Sequence, residues 1–191
     1  SLHDALPISW QFGNYLLSTD GGNNFNTFFS ANGSFIAPSD YDDDTDILYA
    51  QTFDGDFYRA PVGGGAPEVV SVNVPNGNFP AFVSHVSVDP TTPNRVYFGS
   101  GQIITRVDNA NTGTTVTGTA LTPINTGGSV SCIAVDPNDS DHLLVTFSNY
   151  GLTNNIWEST DGGQSWIPSE GANVPNNLPD MPVRWALFNP D

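Results

Sequence analysis

The sequence contains no lysine, and its arginines are only Arg59, Arg95, Arg106 and Arg184. Twenty acidic residues stand against them, for a net charge of −16. A surface of that sign repels phosphate backbones and anionic headgroups, which excludes nucleic acid and membrane surfaces as partners. Its direct effect is solubility, and a saline habitat would be a further cause. Cys132 is the single cysteine, so an internal disulfide is excluded. It sits among small residues and reads as a buried thiol filling space. No apolar run approaches the ~20 residues of a membrane-spanning helix, and no secretory leader is visible. A helical hydrophobic stripe is also missing, while Gly, Pro, Asn and Asp interrupt the chain throughout. What remains is an all-β reading.

Two phrases repeat within that reading. Ser18-Thr19-Asp20-Gly21-Gly22-Asn23-Asn24-Phe25 and Ser159-Thr160-Asp161-Gly162-Gly163-Gln164-Ser165-Trp166 each follow a short apolar run. Glycine supplies positive φ there, Ser and Asp side chains hold loop amides, and the aromatic covers the turn. The second phrase is Ser87-Val88-Asp89-Pro90 and Ala134-Val135-Asp136-Pro137, with Leu187-Phe188-Asn189-Pro190 and a degenerate Phe35-Ile36-Ala37-Pro38. The prolines advance by 52, 47 and 53 residues, and the Ser-Thr-Asp-Gly-Gly phrases lie 141 apart, three steps of 47. Units of that size holding several short strands indicate β-propeller blades. Each unit runs from a small-residue strand through the Asp-Pro turn to a second strand, a loop, a third strand and a fourth.

The Ser-x-Asp-x-Gly-x-x-aromatic phrase resembles the Asp-box of the bacterial neuraminidase repeat, shared by sialidases, xyloglucanase-type glycoside hydrolases and sortilin-type propellers. Ser159, Asp161, Gly163 and Trp166 match it fully. Ser18, Asp20 and Gly22 match it with Phe25 in place of Trp. The resemblance implies that these boxes are structural turns at the blade periphery, away from the ligand face, rather than catalytic acids.

The expected organisation is a partial propeller over residues 10–191, with blade pieces at about 10–33, 34–83, 84–130, 131–183 and 184–191. That is about three full blades, half a blade and a lone first strand, the remaining blades belonging to the parent chain. Residues 1–9 are expected to be unstructured. Ser1 to Ile8 resembles translated sequencing-adapter read-through, an ordinary loop being the alternative, and receives no function. The Asn-, Thr-, Gly- and Asp-rich makeup resembles secreted bacterial surface proteins, so the expected location is extracellular or at the cell surface.

Candidate sites follow from this frame. Asp40, Asp42, Asp44 and Asp46 could offer oxygen ligands to Ca²⁺, the one cofactor considered. The helical calcium-loop pattern fails, however: counted from Asp42, its sixth residue is Ile47 and its twelfth Phe53. A solvated turn is the simpler reading. In propellers, ligands meet the loops entering the innermost strand and those joining the second strand to the third. That rule nominates Asp54, Asp56, His85, Tyr150, Asp180, Arg184 and Trp185. Aligned on the prolines, Gly33, His85, Cys132 and Trp185 fall at one position. An indole face and a guanidinium at the channel mouth could hold a sugar or a carboxylate.

The leading functional expectation is a non-catalytic binding or scaffolding propeller with a carbohydrate, protein or peptide ligand. A glycoside hydrolase is the first alternative, xyloglucanase-like more than sialidase-like. Sialidase chemistry, as the resemblance implies it, needs three clustered arginines and a Tyr–Glu pair that the sequence does not offer. A sortilin-type peptide-binding propeller is the second alternative.

Overall fold

The computed structural model describes residues 7–9, 12–18, 20–30, 32–62, 64–75, 77–171 and 177–189, and contains only strands, turns and loops among them. Three short strands, β1 (Pro7–Ser9), β2 (Asn14–Leu17) and β3 (Asn26–Ser30), form one antiparallel sheet. Then come β4 (Ser39–Asp42), β5 (Ile47–Gln51), β6 (Asp56–Pro61) and β7 (Glu68–Asn73), and β8 (His85–Val88), β9 (Val96–Ser100), β10 (Ile103–Val107) and β11 (Thr115–Ala120). A last four-stranded sheet holds β12 (Val130–Asp136), β13 (Asp139–Phe147), β14 (Ile156–Ser159) and β15 (Ile167–Pro168). Pro7–Ser9 therefore belongs to a sheet rather than to an unstructured lead-in, and residues 1–6 lie outside the described residues.

The two middle blades are joined. Their eight strands make one sheet in the order β4-β5-β6-β7-β11-β10-β9-β8, because the outermost strands β7 and β11 pair in parallel. The register sets Thr115 against Ser71, Val116 against Val72 and Thr117 against Asn73. Gly118 permits the approach: a Cβ there would lie 2.8 Å from a Val72 methyl and 2.9 Å from the Thr105 methyl. Arg59 clamps the same edge. Its guanidinium donates to the carbonyls of Ala110 (2.9 Å) and Gly113 (3.0 Å) in the neighbouring blade and pairs with Glu68. Between the joined blades lie Tyr49, Phe57, Val70, Phe79, Val86 and Phe98, with Phe98 at 5.2 Å from Phe57 and 5.0 Å from Phe79. Each such ring contributes about 1.5–3 kcal/mol on burial. A second core packs Tyr97 and Ile104 against Ile133, Leu143, Val145 and Phe147, and a third stacks Tyr15 on Phe29 beside Leu48 and Ala50.

Side chains tie each blade to its successor. Asp42 accepts the amides of Asp44 and Thr45 in its own turn and that of Asn94 (2.7 Å) in the next blade. Asp89 does the same with Thr91 and Thr92 and with the Ser140 hydroxyl (3.0 Å). Ser84 donates to the carbonyl of Val130 and Ser131 to that of Val183, both at 2.6 Å. Asp42 is thus the counterpart of Asp89. The degenerate Phe35–Pro38 copy is out of register, since Pro38 precedes β4 whereas Pro90 follows β8. The position equivalent to His85 is therefore Pro38 and not Gly33. The register of β4 on β5 agrees, with the Gln51 amide donating to the Pro38 carbonyl as β9 receives β8.

Candidate functional site

Corrected for that register, Pro38, His85, Cys132 and Trp185 are equivalent positions on four successive inner segments. All four line one cleft of about 610 Å³, whose other walls come from β4, β8, β12 and residues 186–188. The sequence-nominated pair His85 and Trp185 is brought together there. Their rings meet edge to face with centroids 5.4 Å apart, across the intervening blade. Burial pushes the His85 imidazole down to about 4, against which a bond with the Ile133 backbone acts only partly. The ring is neutral at physiological pH and offers polarity without charge. Cys132 donates its thiol to the Ala186 carbonyl at 3.4 Å, and burial pushes that thiol up. The inner strands thus carry the wall, and 184–189 lies beside β12 without a ladder of its own.

The other nominated residues lie outside the cleft. Asp54 sits in the β5–β6 loop and Asp56 opens β6, the turn between them being shaped by the Thr52 hydroxyl, which accepts both their amides at 3.2 Å. Asp54, Tyr150, Asp180 and Arg184 are exposed, and Arg184 enters no ion pair among the described residues. The sequence reading passed over aromatic pairs at the same end of the blades. Phe12 meets Phe35 with centroids 5.4 Å apart, and Phe53 meets Phe82 at 5.8 Å, both edge to face. Comparing equivalent loops from blade to blade would have found them.

The opposite end is chemically different. In the second Ser-Asp-Gly turn, Ser159 accepts the Gly163 amide (2.8 Å) and donates to Asp161 (2.8 Å). Asp161 accepts the amides of Gln164 and Ser165 and the Ser165 hydroxyl, and these bonds, the hydroxyl first, hold it down to about 2. The first turn repeats this with Ser18, Gly22, Asp20 and Asn24, and Asn24 lowers Asp20 in the same way. Gly22 and Gly163 take φ of 87° and 84°, which a side chain would oppose. Trp166 also donates its indole N–H to the Thr122 carbonyl (2.9 Å), anchoring the turn on the preceding blade. Phe25 has no such donor.

Of the carboxylates weighed for Ca²⁺, those of Asp40, Asp42 and Asp46 are engaged with the chain itself. Asp40 accepts the amides of Tyr41 (2.9 Å) and Val88 (2.7 Å), and Asp46 accepts the Tyr41 hydroxyl at 2.6 Å. Among the described residues, no group of three or more His, Cys, Asp or Glu is placed to hold a metal ion. A further cluster was not foreseen. His142 lies between Asp136 (2.8 Å) and Glu158 (2.9 Å), its ring 4.6 Å from that of Phe188. Partial burial opposes its charge, but Glu158 and Asp136 outweigh that and raise its pKa.

No family model matches the chain, and no curated protein matches it in sequence. Solved structures do match in shape. YCF48 from Cyanidioschyzon merolae aligns with a TM-score of 0.63 at 14% identity, over 87% of this chain and 53% of that one. The GH74 xyloglucanase from Xanthomonas campestris aligns with a TM-score of 0.64 at 16% identity, over 88% of this chain and 29% of that one. The fold is a partial β-propeller. An ancestral GH74 enzyme agrees at a TM-score of 0.65 and 15% identity, over 90% of this chain and 25% of that one. The chain therefore spans about half the length of YCF48 and about a quarter of the glycoside hydrolases, and identities this low establish the fold alone.

Proposed function

We propose that this chain is a segment of a non-catalytic propeller of the Asp-box superfamily, serving outside the cell or at its surface as a binding or scaffolding module. The observation that carries this reading is the chemistry of the cleft. The only carboxylate among the described residues lining it is Asp40, already engaged by two backbone amides. Glycoside hydrolysis needs two carboxyl groups facing the scissile bond. The mouth presents instead the exposed indole of Trp185, backed by the buried neutral imidazole of His85, and an indole holds a ligand by stacking and hydrogen bonding. Arg59, Arg95 and Arg106 are engaged in ion pairs or carbonyl bonds within and between blades, which also speaks against a sialidase-type carboxylate grip. The matching bond patterns of the two Ser-Asp-Gly turns support the Asp-box assignment. Neighbours described as YCF48 bound to D1 peptide and as a nidogen/laminin complex favour a protein or peptide ligand. Likeness in fold to GH74 xyloglucanase keeps a glycoside hydrolase as the second reading.

Incubation of the chain with xyloglucan and with sialyl-lactose, followed by product chromatography, distinguishes the two. No product is expected. Turnover that disappears on Asp54→Asn or Asp180→Asn would replace the binding reading with the enzymatic one.

A further inference from the structure

We propose that the loop face at the cleft mouth takes an extended, arginine- or lysine-bearing segment of a partner protein, whose cations stack on exposed phenylalanines beside carboxylates. This rests on the binding-module reading above and specifies the ligand. The aromatic pairs occupy equivalent places. Phe12 and Phe53 lie in the loops preceding β2 and β6, and Phe35 and Phe82 lie in the loops entering the next inner strand. The blade of β12–β15 repeats the theme with Tyr150 and Met181, whereas the blade of β8–β11 places Gln102 there. Phe12 is 60% exposed, Phe35 58%, Phe82 65% and Tyr150 78%. Rings so exposed, recurring at one end of successive blades, are not explained by the core and mark an interaction surface.

Charge selects the ligand class. Asp54 shares a loop with Phe53, Asp56 opens β6 directly after it, Asp180 adjoins Met181, and the chain as a whole carries −16 without a lysine. Arg184 is the single cation of these loops among the described residues. An aromatic face attracts a cation through its quadrupole, and nearby carboxylates attract it too. A neutral sugar would gain from stacking alone, and an anion would be repelled by both. A cationic segment is the ligand that uses both the rings and the carboxylates of the face, Arg184 being the one group that opposes it.

The test is fluorescence anisotropy with a labelled alternating Arg-Gly decapeptide, a matched Glu-Gly peptide and a xyloglucan oligosaccharide. The Arg-Gly peptide should bind and weaken with added salt, since exposed charges are screened. Phe82→Leu keeps an apolar side chain but removes the ring, and should weaken binding about two- to five-fold. Asp54→Asn should also weaken it, while Asp43→Asn, exposed in the turn at the opposite end, should not. Unchanged binding in Phe82→Leu, or equal losses in Asp54→Asn and Asp43→Asn, would reduce the effect to diffuse charge and overturn the proposal. Binding of the oligosaccharide or the Glu-Gly peptide instead would overturn it while leaving the binding module intact. Failure of all three probes together with glycan turnover would remove both.

Discussion

Acidification is expected to destabilise this fold through His85, and the effect can be worked from its surroundings. The residue is 8% exposed in the cleft wall, against Trp185 and bonded to the Ile133 backbone of β12. Burial lowers its pKa from 6.5 to about 4. The unfolded chain therefore takes up a proton below pH 6.5 that the folded chain still refuses. For a group depressed in the folded state, stability is full above the unfolded pKa and declines as pH falls toward the folded one. At pH 5 the unfolded state is favoured by on the order of 2 kcal/mol relative to neutral pH. That is a substantial share of the 5–15 kcal/mol typical of a folded domain.

The assay is urea denaturation of the wild type and of His85→Gln at pH 7.5 and pH 5. Glutamine keeps a hydrogen-bonding side chain but cannot take the proton, and His142 is common to both proteins, so its titration cancels. The stability difference between them should shift by on the order of 2 kcal/mol toward the variant on acidification. In NMR spectra the His85 ring should titrate near 4, well below a free imidazole. A difference that does not change with pH, or a ring titrating near 6.5, would refute the claim that the cleft wall is dry enough to hold His85 neutral.

His142 behaves in the opposite sense. Its raised pKa makes its contribution full below 6.5 and lost as pH rises through the folded value, while Asp136, lowered by the Asn138 amide and then His142, and Glu158, lowered by Ser169 and then His142, keep theirs above 3.8 and 4.5. Thermal melts of His142→Gln should therefore show the largest deficit between pH 4.5 and 6.5 and a smaller one on either side. Trp166→Phe removes the indole bond to Thr122 and should cost about 0.5–1 kcal/mol in chemical denaturation. Gly118→Ala forces a methyl toward Val72 and Thr105, at about 1–3 kcal/mol. Its hydrogen exchange should quicken selectively at residues 71–73 and 115–117, where β7 and β11 pair.

What could be read from the sequence was local chemistry. Asp89 and Asp136 announce turns because a carboxylate two residues before an amide closes the turn itself, whatever surrounds it. Ser159, Asp161 and Gly163 are equally self-contained. Proline misled where it was used as a ruler: Pro38 resembles Pro90 in its flanking residues, yet the turn of that blade is closed by Asp42 without a proline. The joining of β7 to β11 was not legible, because it pairs residues over forty apart whose alternation fits any edge strand, and Gly118 alone hints at the close approach. His142, Asp136 and Glu158 come from three strands of one blade and meet through register rather than through any spacing in the chain. For the candidate site, the Trp185 and His85 positions were legible as strand entrances. Their contact depended on how sharply successive inner strands turn about the cleft.

The joined blades bear on where a ligand can act. An outer edge strand is ordinarily a template for another chain, but β7 and β11 satisfy each other, so the two middle blades present no unpaired outer edge to a passing strand. Strand addition is closed off there, so the partner proposed above would have to meet the loops. Hydrogen bonds from the inner strands and the residues flanking them to the next blade run through side chains: Asp40 to Val88, Asp42 to Asn94, Ser84 to Val130 and Ser131 to Val183. Such bonds fix the angle between blades while leaving the cleft wall free of rungs that a ligand would have to break. A wall carrying a neutral histidine, with exposed aromatics and acids on the loops above it, suits the binding role proposed above: in that reading the repeat supplies the scaffold, and selectivity resides in residues that the blade repeat does not require.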